Sequence, residues 1–174
     1  SEPRSLKDIA VTLRRLGVLV GAGEAGEALA ASFEDAVRAL GERYRGRPSV
    51  RVFYQVWDRP MVTVNGKHLI SDIIELCGGR NVFAALPALA PAVEIEAVLR
   101  ADPEAIVASG ADAARPPWLD DWKRWGTLTA VARGNLFDVP PELVQRQTPR
   151  ILEGAARVCE ALETARRLRP APPR

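Results

Sequence analysis

The sequence predicts an α/β fold in which a mainly parallel sheet follows one long helix. Short β-branched and aromatic runs, Val50 to Val56, Ala105 to Ala108 and Asn135 to Val139, alternate with segments of helical periodicity. Such alternation implies βαβ crossovers, and these make neighbouring strands parallel. The stretch from Glu24 to Tyr44 is Ala-rich and strongly helix-forming, long for a chain of 174 residues. Hydrophobic residues make up 47% of the chain, ample for a buried core.

Ser5 caps a first helix in which Leu6, Ile9, Ala10, Leu13 and Leu16 recur at helical spacing, with Gly17 as its stop. A short apolar run, Val18-Leu19-Val20, leads into Gly21-Ala22-Gly23. On the long helix Leu29, Phe33, Val37 and Leu40 share one face, while Ala30, Ala31 and Ala36 would let a further neighbour approach. Arg47-Pro48 breaks the chain before the strand at Val50 to Val56. A loop from Trp57 to Lys67 follows, then a helix from His68 to Cys77 that Gly78-Gly79 terminates, then an irregular stretch from Asn81 to Pro91. Glu94 to Arg100 reads as a short helix and Ala105 to Ala108 as a short strand. After Pro116-Pro117 comes a helix with Trp118, Trp122 and Trp125 on a core-facing stripe. The strand Asn135 to Val139 leads to a Pro140-Pro141 loop. Thr148 caps and Pro149 starts a final helix, with Ile151, Leu152, Ala155, Val158, Cys159 and Leu162 inward. The segment before Arg47 has hardly any strand and cannot form a sheet of its own.

Composition excludes several functions. The formal net charge is +2 and both signs are interspersed; Arg43, Arg45, Arg47 and Arg51 decorate a helix end and turn rather than a nucleic-acid stripe. No apolar run approaches the roughly 20 residues that span a bilayer. His68 is the single histidine and Cys77 and Cys159 are the two cysteines, which leaves a metal site short of donors. The cysteines are either a bridge or two buried thiols. Gly21-Ala22-Gly23-Glu24-Ala25-Gly26 matches a dinucleotide-binding turn, so a nucleotide-dependent oxidoreductase is an alternative. Its context is poor, because the preceding run is barely a strand and the expected ribose-binding carboxylate would fall inside the long helix. Asp120 and Asp121 are adjacent and point in different directions on a helix. With no nucleophile, base and orienting group converging, the chain reads as a non-enzyme without catalytic residues, metal or cofactor.

A binding surface is the better expectation. Trp57-Asp58-Arg59-Pro60-Met61 lies just past a strand end, offering an aromatic face, a charge pair and a thioether where α/β sheets hold ligands. Glu142, Gln145 and Arg146 follow a second strand end at Val139. Together they suit a large, partly apolar, amide-bearing ligand.

The stretch Val52-Phe53-Tyr54-Gln55-Val56-Trp57-Asp58-Arg59-Pro60-Met61, with Thr63 and Gly66, resembles substrate-binding proteins of cobalamin ABC importers. So do Ile74 to Phe83, with its Cys-Gly-Gly-Arg-Asn-Val-Phe element, and Glu96-Ala97-Val98-Leu99, Pro103 to Val107 and Thr148-Pro149-Arg150-Ile151. Haem and iron-siderophore relatives share part of this pattern. The resemblance implies two Rossmann-like lobes joined by a long rigid helix. Residues 1–22 would then be a remnant of the N-terminal region, 23–46 the inter-lobe connecting helix, 47–169 the C-terminal Rossmann-like lobe and 170–174 a Pro-rich tail. A full-length member carries a whole lobe before this point, so the chain is expected to be a C-terminal fragment.

The same resemblance implies a periplasmic protein that captures cobalamin and delivers it to a membrane permease, with haem or a siderophore as the alternative ligand. Trp57, Arg59, Pro60, Met61, Glu142 and Arg146 would face the ligand, and Glu96 would meet arginines of the permease. Cys77 and Cys159 fall where such binders carry a disulfide; a small redox protein using this pair is a further rival. Ala90 and Leu143 are aliphatic where relatives can present aromatic side chains. An apolar surface normally covered by the N-terminal lobe makes self-association an added expectation.

Overall fold

Strands β1 (Val50–Gln55), β2 (Gly79–Asn81), β3 (Ala105–Ala108) and β4 (Leu136–Asp138) form one sheet in the computed structural model, which describes residues 3–111 and 114–171. Their spatial order is β2-β1-β3-β4 and each neighbouring pair is parallel, with Val52 opposite both Asn81 and Ala105. The α/β class and the parallel sheet read from the sequence are observed.

Both faces of this sheet are covered. Alternation along β1 and β3 sends Val52, Tyr54, Ala105 and Val107 to one side, with α1 (Leu6–Leu19), α2 (Gly23–Tyr44), α3 (Leu69–Leu76) and α7 (Ile151–Arg167). Phe53, Ile106 and Ala108 point to the other side. There they meet α4 (Ile95–Ala101), the 3-10 helix Pro117–Arg124 and α5 (Thr129–Ala132). The short α6 (Pro141–Val144) packs against α7. Burial on both faces explains why the strands read as continuous apolar runs.

Several local expectations change. Ser5 does cap α1, in a reciprocal capping box with Asp8. Gly17, however, does not stop that helix, which runs on to Leu19. Gly17 is buried against Gly26 of α2, and a Cβ added at either would lie 2.7 Å from the other's Cα. Val18, Leu19 and Val20 sit at the tip of this helical hairpin and are exposed rather than strand-like. A helix rather than a strand leads into the Gly21 to Gly26 segment, which joins α1 to α2, so the strand–turn–helix context of a dinucleotide site is not met there. Leu29 is 48% exposed, and Ala30, Phe33, Leu40 and Tyr44 carry the buried face of α2 instead.

Gly78 ends α3 with φ +71°, but Gly79, expected only to help terminate that helix, opens a strand that reaches Asn81. The tryptophan segment is a 3-10 helix, whose tighter turn buries Leu119 and Trp122 and leaves Trp118 and Trp125 half-buried. The Pro140-Pro141 segment starts a helix instead of a loop, with Pro140 at the cap and Pro141 the first residue of α6. Thr148 does not cap α7 with its side chain; its carbonyl accepts from Ile151 N–H and Arg150 occupies the cap position. Of the expected segments 1–22 and 170–174, residues 1–2 and 172–174 lie outside the described residues.

Long-range ties hold the helices to the sheet. Cys77, the cap of α3, is bonded to Cys159 of α7 across 82 residues. Beside it the Arg166 guanidinium donates to the carbonyls of Pro48, Cys77 and Gly78 at 2.9, 2.7 and 3.1 Å. Glu104, at the N-terminal end of β3, accepts from Arg133 at 3.2 Å and from Arg169 at 3.0 and 3.1 Å, and from the Arg51 backbone. Burial raises the Glu104 pKa, yet the bonds from Arg169 and the Arg51 backbone, with the charges of both arginines, hold it below the usual carboxylate range.

Candidate binding site at the C-terminal edge of the sheet

Two polar side chains are buried where β1 and β3 end. Gln55, the last residue of β1, is 1% exposed; Ser109, just past β3, is fully buried. Gln55 Oε1 accepts from Trp122 Nε1 at 2.8 Å and its amide donates to the Trp57 carbonyl at 3.3 Å. It therefore ties the 3-10 helix to the loop after β1. Ser109 N–H donates to the Gln55 carbonyl at 3.1 Å, and Ser109 Oγ accepts from Gln145 at 3.3 Å. That second tie anchors the chain after α6. The Tyr54 hydroxyl lies buried in the same region, where burial pushes its pKa up.

The Trp57 loop is held on both sides. Val56 N–H donates to the Val62 carbonyl and Val62 N–H to the Trp57 carbonyl, closing a tight turn, and Val62 also bridges to Ala92. Thr63 Oγ1 donates to the Tyr54 carbonyl at 2.7 Å. Further on, Asn65 reaches the Leu86 carbonyl, while Asn81 donates to the Val64 carbonyl and to Ser71 Oγ at 2.8 Å each. Buried amides thus satisfy loop carbonyls that would otherwise lie unpaired in the core.

Two recesses open on this edge. The larger, about 770 Å³, falls in the size range of small-molecule sites. Its walls come from Arg4 before α1, from α1 itself (Asp8 and Arg15 among them), from Val56, from His68 at the start of α3, and from Gln145 and Gln147. Leu89 and Ala90 complete it. The smaller, about 130 Å³, lies on the other face, bordered by Gln55, Asp58, Arg59, Met61 and the tryptophans Trp118, Trp122 and Trp125.

The expected ligand-facing residues divide between these places. Arg59 and Met61 line the small recess, with Arg59 paired to Asp58 at 3.1 Å. Trp57 is 47% exposed, lines neither recess, and donates from Nε1 to the Arg59 carbonyl at 3.2 Å. Pro60 is exposed at the loop tip, after a cis peptide. Glu142, half-buried, and Arg146, exposed, line neither recess; Gln145 and Gln147 beside Arg146 line the large one. Leu143 is buried, so it is part of the core here. Glu96 stands exposed in the first turn of α4, and among the described residues no ion pair engages it.

Sequence reasoning missed Gln55 and His68. A polar residue closing an apolar strand was the available signal for Gln55. His68 caps α3, with Nδ1 accepting from Ile70 N–H at 3.1 Å, and burial lowers its pKa. Among the described residues no group of three or more His, Cys, Asp or Glu side chains is placed to hold a metal ion. No helix among them is long and apolar enough to cross a membrane.

Comparison with known proteins adds three findings. A family profile described as periplasmic binding protein matches residues 2–143. The vitamin B12-binding protein of Vibrio parahaemolyticus is 33% identical over 168 residues, covering 95% of this chain and 59% of the relative. The crystal structure of the periplasmic vitamin B12 binding protein of Vibrio cholerae superposes with a TM-score of 0.84 at 29% identity, over 95% of this chain and 64% of that one. A possible iron-binding periplasmic protein from Staphylococcus epidermidis gives the same TM-score, 0.84, at 17% identity, which shows the fold alone. The chain spans 59% of the length of its first curated relative.

Proposed function

We propose that this chain, which belongs to the periplasmic binding protein family, captures a corrinoid of the vitamin B12 class and presents it to a membrane importer. The observation that carries the reading is the large cleft at the C-terminal strand edge, about 770 Å³, walled by apolar and hydrogen-bonding side chains in similar measure. Likeness to vitamin B12-binding proteins over 95% of this chain supports the ligand class. Capture here is binding without chemistry. The exposed faces of Trp57, Arg59, Pro60 and Met61, with Glu142 and Arg146 across the edge, would rim the ligand on the solvent side of the cleft.

Glu96 is proposed as the docking carboxylate for arginines of the permease, since an unpaired exposed charge sets orientation and register. The same reading places the protein in the periplasm, with α2 as the connector between residues 47–169 and a further lobe. Leu16, Val18, Leu19, Val20 and Leu29 are exposed apolar side chains on the α1–α2 hairpin, and self-association through them is part of the proposal.

Titration of the chain with cyanocobalamin and, separately, with haemin, each followed by visible absorbance, tests the ligand class. Saturable cyanocobalamin binding without haemin binding is expected; the reverse pattern replaces the corrinoid by a haem. Light scattering across a concentration series tests self-association, which is refuted by a constant monomer mass.

A further inference from the structure

We propose that His68 is a specificity-determining hydrogen-bond donor of the large cleft, reading an acceptor oxygen on the ligand and not its metal. The inference rests on the corrinoid reading above and names how one residue of that cleft would discriminate.

His68 is the single histidine of the chain and lines the cleft with Leu69 and Ile70. In a metal-chelate receptor a lone histidine invites assignment as an axial ligand, because the macrocycle already fills the in-plane positions. The helix cap argues otherwise. Nδ1 accepts the Ile70 N–H at 3.1 Å, so that nitrogen must carry a lone pair. A neutral imidazole has one N–H, which therefore resides on Nε2. Coordination through Nε2 would require moving the proton to Nδ1, where it would confront the Ile70 N–H and cost the cap bond. Burial also disfavours the doubly protonated ring.

Nε2 has no hydrogen-bond partner among the described residues, and it is not among the buried atoms left unpaired. It is thus an accessible N–H waiting for an acceptor. The charged wall agrees in kind: Arg4 and Arg15 bring N–H donors only, against the single carboxylate of Asp8, while Thr12, Gln145 and Gln147 each offer a donor and an acceptor. Asp8 is itself engaged by the Arg4 and Ser5 backbone N–H groups at 2.9 and 3.0 Å. A donor-rich wall selects an acceptor-rich ligand, such as one bearing several amide carbonyls.

His68→Asn separates the two duties of the residue. Asparagine is a strong N-cap, so α3 and the melting temperature should be retained, while its shorter arm withdraws the N–H from the cleft. Cyanocobalamin affinity, read by tryptophan-fluorescence quenching, should fall about 3- to 10-fold, the value of one net hydrogen bond. Aquocobalamin should bind the wild-type chain with its visible cobalt bands unmoved, since no nitrogen displaces the axial water. Unchanged affinity in H68N overturns the assignment. So does a band shift in the wild type that H68N lacks, which would make His68 a cobalt ligand. Failure of the wild type to bind either corrinoid refutes the corrinoid reading, and this assignment with it.

Discussion

Reduction of the Cys77–Cys159 bridge should destabilise the chain by about 4–5 kcal/mol without changing its fold. The bridge closes a loop with a sequence separation of 82 residues. On the chain-entropy model a loop of that size withholds about 15 cal/mol/K from the unfolded ensemble, about 4.5 kcal/mol at room temperature. The native junction does not depend on the bond alone. Arg166 still clamps the Cys77 and Gly78 carbonyls, and Ile73, Ile74, Val158 and Leu162 remain fully buried around it. Urea unfolding of oxidised and reduced protein, followed by tryptophan fluorescence, measures the difference. With a slope of about 2 kcal/mol per molar, the midpoint should drop by about 2 M. Both sulfurs are fully buried, so a mild reductant should leave the bond intact until the chain opens. A midpoint change below about 0.5 M would refute the entropic account. Rapid cleavage in native buffer would revive the redox-protein rival.

Glu104→Gln should cost about 2–3 kcal/mol, because a charge holding Arg133 and Arg169 is replaced by a weaker acceptor. The folded pKa of Glu104 lies below its ordinary value of 4.5, so this stabilisation is complete above that value. It is lost as pH falls through the folded pKa, and acid unfolding curves of wild type and E104Q should therefore converge at low pH. Gly17→Leu should lower stability by about 1–3 kcal/mol in a thermal melt, since its Cβ would sit 2.7 Å from backbone of the facing helix; Gly23→Ala, whose Cβ would meet only Val18 at an ordinary contact distance of 4.0 Å, should be tolerated. Trp122→Phe keeps the edge contact with Phe53 but leaves Gln55 Oε1 buried without its donor. It should cost about 1–3 kcal/mol by urea unfolding, against under about 0.5 kcal/mol for Trp118→Phe.

Much of the fold was legible because its signals are local. The strand cores at Val50 to Gln55 and Ala105 to Ala108 announce themselves by β-branched content, and Ser5 followed by Asp8 marks the start of α1. The site was legible only in outline. Trp57, Arg59 and Met61 do follow the end of β1, yet the large cleft is built from their neighbours and from α1. Nothing in the α1 sequence announces that contribution, because it depends on how the helix is hung. Leu6 N–H donates to Asp72 across 66 residues at 2.7 Å, and that distance is invisible to any window along the chain.

The sequence by itself determined the α/β class, the order of the main strands and helices, and the strand edge to look to for a cleft. These follow from periodicity and from the rule that parallel sheets bind at their C-terminal strand ends. Tertiary structure decided the rest. It paired three residues as β2, exposed Leu29 and tightened the tryptophan segment into a 3-10 helix. It also turned His68 from an ordinary helix-start residue into a side-chain cap of α3. Each of these outcomes depends on which distant groups compete for the same space and the same hydrogen bonds. That competition is settled only when the whole chain is packed.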